Sequence, residues 1–123
     1  MENAGGEKAM KDSGERMTYE SGMLREPDTD KPRFDLMIAE GIPYDAQLLT
    51  RFAVLLAEGA KKYKDRNWEV ANSEAEVQRM KTSAFRHFMQ WYTDEDDEDH
   101  ASAVLFNILA AESTSYKISQ SVV

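Results

Sequence analysis

The chain has no cysteine. Disulfides and thiolate zinc sites are therefore excluded, and a reducing cytosol suits it. It has no apolar run of about 18 residues, so no transmembrane helix is expected. The N-terminus carries no apolar signal segment, which argues against secretion and for a cytoplasmic protein. Basic charge is scarce: 15 Lys and Arg stand against 23 Asp and Glu, a formal net charge of −8. That balance argues against a general binder of nucleic-acid polymers or anionic membranes, but leaves room for a nucleotide held by a few local cations or a metal. No internal repeat is visible. No strand–GxxxxGK[ST]–helix loop and no nucleophile elbow occurs, so kinase-like and serine-hydrolase chemistries have no support.

What remains is one domain's length, 123 residues, enough for one core. Residues 1–30 read as a flexible tail with scattered charge and no apolar period. Ser21 to Arg25 could still dock on a neighbour. Lys31-Pro32-Arg33-Phe34-Asp35-Leu36 reads as an extended segment, because a residue before proline is pushed out of helical geometry. Either Phe34 and Leu36 plug a core, or the segment delivers Lys31 and Arg33 to an anion.

Pro43-Tyr44-Asp45 resembles a helix start. Leu48, Leu49, Phe52, Leu55, Leu56, Ala60 and Tyr63 then recur at spacings of three and four, an amphipathic helix to about Tyr63. Glu58 flanks that stripe. It is either a surface acid paired with Lys62 or an acid facing a cleft. Lys64 to Trp68 forms a polar turn closed by an aromatic that covers a core edge. Ser73 with Glu76 has capping-box spacing. The helix it opens carries Val77, Met80, Ala84, Phe88 and Trp91, broadened by Phe85, Met89 and Tyr92, enough for burial on two sides. Arg86 and His87 sit on it.

The six acids Asp94 to Asp99 run into His100. A third helix is expected to begin within them and continue to about Tyr116, with Leu105, Ile108 and Leu109 on its apolar side. Asp97, His100 and Asn107 form a polar stripe. Such like-charged density needs water, a helix N-terminus, basic side chains or a cation to offset it. Hard divalent cations take converging carboxylates plus substrate phosphates; Glu58 with Asp97 or Glu98 are the candidates on facing helices. Lys61, Lys62, Arg66 and Arg86 can hold phosphate oxygens. A solvated acidic helix start is the plainer reading.

Taken together, Lys31–Leu36, Glu58-Gly59-Ala60-Lys61-Lys62-Tyr63, Arg66-Asn67-Trp68, Ser83-Ala84-x-Arg86-His87 and Asp97-Glu98-Asp99-His100 resemble a family of small, mostly phage-encoded proteins. These are the dATP/dGTP diphosphohydrolases, regarded as MazG-like. The resemblance runs from about Ser21 to Glu112. It implies an all-α enzyme assembled as a dimer or tetramer, in keeping with the three main helices plus short ones that the periodicity places over 31–118, before a C-terminal tail over 119–123. It also implies hydrolysis of a nucleoside triphosphate, dGTP or dATP, to monophosphate and pyrophosphate with Mg2+ or Mn2+. On that reading Glu58, Asp97 and Glu98 bind metal, and one of them or His100 orients water. Lys31, Arg33, Lys61, Lys62, Arg66, Asn67, Trp68, Arg86, His87 and Asn107 serve the substrate. The wider MazG pattern has more acids near Glu58 and a carboxylate where His100 stands. A phage protein that binds or sequesters a nucleotide without cleaving it is the alternative.

Overall fold

The computed structural model describes residues 14–27 and 30–121. It divides into two units, one ending at Phe34 and the other starting at Asp35. In the first, β1 (Met17–Thr18) pairs antiparallel with β2 (Leu24–Arg25), Met17 opposite Arg25 and Thr18 opposite Leu24. Gly22, at φ 93°, turns the chain, and its N–H donates to the Tyr19 carbonyl at 2.8 Å. A type I turn followed by a left-handed glycine is a common three-residue hairpin loop. Arg16 and Glu26 pair just outside the strands. Part of the expected tail is therefore a hairpin, and Leu24–Arg25 finds its partner seven residues upstream, in Met17–Thr18. The expectation for residues 1–13, 28 and 29 lies outside the described residues.

The second unit is helical. Short 3-10 turns at Phe34–Met37, Tyr44–Ala46 and Asn67–Val70 accompany α1 (Leu48–Lys62), α2 (Glu74–Tyr92) and α3 (His100–Ser121). Phe34 and Leu36 are exposed, so they do not plug a core. Buried Gln47 instead closes the chain before α1. Its amide donates to the Ala39 and Ile42 carbonyls at 2.7 and 2.8 Å and accepts from the Ala39 N–H at 2.9 Å. Neither Pro43 nor Asp45 starts α1 itself; they belong to the 3-10 turn before it.

α2 begins as its spacing predicts. Ser73 Oγ accepts from the Glu76 N–H, and the Glu76 carboxylate accepts from the Ser73 N–H, a reciprocal cap worth about 1 kcal/mol. The Asn72 and Ser73 donors hold the Glu76 carboxyl below its ordinary range. At the other end, the Asp94 N–H donates to the Trp91 carbonyl and the Glu95 N–H to Gln90, with Asp94 at φ 64°. That double bond is a Schellman ending, whose left-handed position normally favours glycine. The first acid of the run thus terminates α2 and does not lead into α3.

α3 begins at His100, after the acids and not within them, and continues past Tyr116 to Ser121. Asp99 caps it: one carboxylate oxygen accepts from the Ser102 N–H at 3.1 Å and the other from Ser102 Oγ at 2.9 Å. α2 and α3 form an antiparallel hairpin, with His87 against His100 at one end and Lys117 Nζ donating to the Glu69 carbonyl near the other. The face of α3 turned inward is not Leu105, Ile108 and Leu109. Buried instead are His100, Ser102, Ala103, Ala110, Ala111 and Thr114, of which His100, Ala103, Ala110 and Thr114 follow one another at three, seven and four residues. Small residues let two helices approach closely, so this line takes the core position, and Ile108 and Leu109 stay exposed. Phe85, Phe88, Met89, Trp91 and Tyr92 on α2 are exposed too, with Phe88 stacked on Tyr92. Trp68 is half-buried and meets Phe106 edge-on, as expected for an aromatic covering a core edge. No helix among the described residues is long and apolar enough to cross a membrane.

Candidate functional site

The end of the α2–α3 hairpin gathers the ionisable groups. The last turns of α2 bring Arg86 and His87; the loop and first turn of α3 bring Asp97, Glu98, Asp99 and His100. Their positions are fixed from α1. Arg51 Nε and Nη2 donate to the two oxygens of Asp99 at 2.9 and 2.8 Å. This two-pronged pair, backed by the Ser102 donors, holds the Asp99 carboxyl down to about 2 against the opposing effect of burial. The same hydrogen bond raises Arg51 above its ordinary value.

Four side chains then follow in a hydrogen-bonded row. An Arg86 Nη2 lies 3.3 Å from His87 Nε2. His87 Nδ1 lies 2.9 Å from His100 Nδ1, and His100 Nε2 lies 2.7 Å from Asp97 Oδ1. The proton positions follow from the ends. A guanidinium only donates, so His87 Nε2 accepts and its proton sits on Nδ1. That proton is donated to His100 Nδ1, which leaves the His100 proton on Nε2, donated to the carboxylate. Both rings are neutral in this arrangement. His87 and His100 are 9% and 2% exposed. Burial pushes His87 below its ordinary value; the Arg86 charge adds to this, and Glu98 and Asp97 oppose it. The His100 hydrogen bond holds the exposed Asp97 carboxyl below its ordinary value.

Among the described residues, the group whose donor atoms lie close enough to share one ion is His87, Glu98 and His100, all within 4.8 Å of one another. The carboxylate set expected from the sequence is not what comes together. Glu98 is in the group, Asp97 is bonded to His100, and Glu58 lies exposed on α1, outside it. Magnesium favours oxygen ligands in octahedral geometry, whereas imidazole suits zinc, copper, iron or nickel. The donors present therefore do not fit an all-oxygen magnesium site.

A second feature opens between the end of α1, the 64–68 turn and α3. It is a cavity of about 600 Å3 whose lining includes Leu55, Leu56, Tyr63, Asn67, Trp68 and Phe106. Arg66 at its rim sits at φ 55° and pairs with Glu69 at 3.0 Å. Apolar walls with a few polar groups at this volume are typical of a small-molecule site. Phe106 is six residues beyond His100, about 9 Å along α3.

The other expected residues fall as follows. Lys61 and Lys62 are exposed on the last turn of α1, with Lys62 Nζ over the Tyr63 ring at 5.5 Å. Asn107 is half-buried, its amide donating to the Ala103 carbonyl. Lys31 and Arg33 are exposed in the first unit. His87 is a buried neighbour of His100. Arg51 and Asp99 were not among the expected site residues. The Asp99–Ser102 spacing signals a cap; nothing in the spacing signals Arg51.

A search of curated proteins and one of solved structures both return no match. One family model matches, over residues 21–119. Nearly the whole helical unit and the hairpin's second strand lie within that span, and so do the hydrogen-bonded row and the cavity. The chain belongs to the family described as dATP/dGTP diphosphohydrolase, N-terminal.

Proposed function

We propose that this protein hydrolyses purine deoxynucleoside triphosphates, dATP or dGTP, to the monophosphate and pyrophosphate. The family match carries this reading. A divalent ion, magnesium or manganese, carried largely by the substrate phosphates, belongs to the proposal, as do a cytoplasmic setting and assembly of two or four copies. The exposed aromatic face of α2, Phe85 to Tyr92, supports the assembly.

Water attacks the α-phosphorus in line with the bridging oxygen to the β-phosphate; that bond breaks and pyrophosphate leaves. Glu98, exposed and beside both imidazoles, orients the water and accepts its proton. Asp97 and His87 hold His100 in one tautomer and one orientation beside it. Arg86, Lys61, Lys62 and Arg66 are the cations for the phosphate oxygens. Trp68 and Asn67 line the cavity that takes the base, and Asn107 on α3 is a further substrate contact. Purified protein incubated with the eight common nucleoside triphosphates and a divalent ion tests the proposal. Pyrophosphate from the purine deoxynucleotides supports it, and no pyrophosphate from any of them at high enzyme concentration overturns it.

A second reading is a nucleotide binder that leaves its ligand intact. Glu58 standing outside the donor group favours it. Tight, metal-independent binding with the nucleotide recovered uncleaved would select it.

A further inference from the structure

From the donors around His100, we infer a divalent-metal site of mixed nitrogen and oxygen character, formed by His87, Glu98 and His100, that takes zinc, iron or nickel in preference to magnesium. Three ligand atoms lie within 4.8 Å of one another, drawn from two helices and the loop between them. His100 is already in the form a metal ligand needs. Its Nε2–H is bound to Asp97 at 2.7 Å, which leaves the Nδ1 lone pair pointing at His87. A carboxylate that fixes the far nitrogen of a ligating histidine is the usual supporting arrangement in metal sites.

The two Nδ1 atoms are 2.9 Å apart and share one hydrogen. An ion replaces that hydrogen. The displaced proton moves to solvent or to His87 Nε2, and Arg86, exposed on α2, swings away from that nitrogen. Glu98 supplies the third donor and one negative charge. Two imidazoles and one carboxylate leave the remaining coordination positions open, and such a set ranks borderline ions above magnesium.

The site shares Glu98 and His100 with the proposed reaction, but its test reads ion binding alone: a chain that holds the ion and cleaves nothing leaves this inference standing. The test uses the two histidines, which are the only ones in the sequence. The full chain, with any affinity tag removed, is titrated with Zn2+ and then with Mg2+. The imidazole resonances are followed by nitrogen-15 NMR, and affinities are measured by calorimetry. Zn2+ is expected to shift both rings, while Mg2+ at the same concentration leaves them in place. Glu98→Gln, at an exposed position that does not threaten folding, is expected to weaken Zn2+ binding about tenfold or more. Unshifted imidazoles in saturating Zn2+ overturn the inference. So does an unchanged Zn2+ affinity in Glu98→Gln, or equal affinity for Mg2+ and Zn2+.

Discussion

The Nδ1 atoms of His87 and His100 face each other at 2.9 Å across the α2–α3 hairpin. Two ring nitrogens meet at that distance only if one carries a hydrogen and the other does not. Arg86 and Asp97, at the two ends of the row, decide which. The pair is thus a directed link from a cation to a carboxylate, built from residues 13 apart in the sequence.

His87 gives the pair a pH dependence. Burial holds its folded-state value below that of the unfolded chain, about 6.5. The contribution to stability is therefore complete above about 6.5. It is lost as the pH falls through the folded value, because the unfolded chain takes up a proton that the folded one resists. The melting temperature is expected to drop between pH 7 and pH 5, a window in which ordinary carboxylates stay ionised. His87→Gln is expected to flatten that drop; an equally steep slope in the variant contradicts the assignment.

Arg51 and Asp99 act lower on the pH scale. Asp99 titrates at about 2 when folded and near 3.9 when unfolded. Its stabilisation is present above about 4 and is lost between about 4 and 2. Arg51→Ala leaves the Asp99–Ser102 cap in place and removes the ion pair, which is partly exposed. A loss of about 1 kcal/mol is expected, or about 4–8 °C in melting temperature. Thermal melts at pH 7 and pH 3 check this: the variant's deficit shrinks at pH 3.

Asp94 holds a left-handed turn that a side chain disfavours. Asp94→Gly is expected to stabilise the protein by about 0.5–1 kcal/mol, the steric relief exceeding the entropy glycine adds to the unfolded chain. Asp94→Val is expected to destabilise it. Chemical denaturation of both variants gives the signs.

These capping and pairing residues divide by how visible they are in the sequence. Ser73 and Glu76 are legible because a capping box acts over three residues. Asp97 with His100 is legible because the two lie three residues apart, although Asp97 reaches His100 from the loop and not from a turn of α3. The pairing of Arg51 with Asp99 joins residues 48 apart, and tertiary contacts of that span leave no periodic trace. The inward face of α3 was hidden for another reason. Hydropathy points to Leu105, Ile108 and Leu109, while close helix pairing selects Ala103, Ala110 and Ala111. The acidic run misled because its ends do different work: Asp94 closes one helix and Asp99 opens the next.

Trp68 and Phe106 meet edge-on at 6.5 Å on the wall of the cavity. If that wall receives the base, Trp68→Ala removes a stacking surface worth about 1–3 kcal/mol. KM for the nucleotide is expected to rise roughly 5- to 150-fold with kcat less affected. A changed kcat at constant KM would place Trp68 elsewhere in the chemistry.

The position of bond cleavage tests the central claim most directly. The reaction is run on dATP and dGTP in water enriched in oxygen-18, with a divalent ion present, and the products are read by mass spectrometry. Attack at the α-phosphorus predicts one oxygen-18 in the deoxynucleoside monophosphate and none in the pyrophosphate. Label in the pyrophosphate, release of single phosphates, or intact nucleotide at the end of the incubation would contradict it.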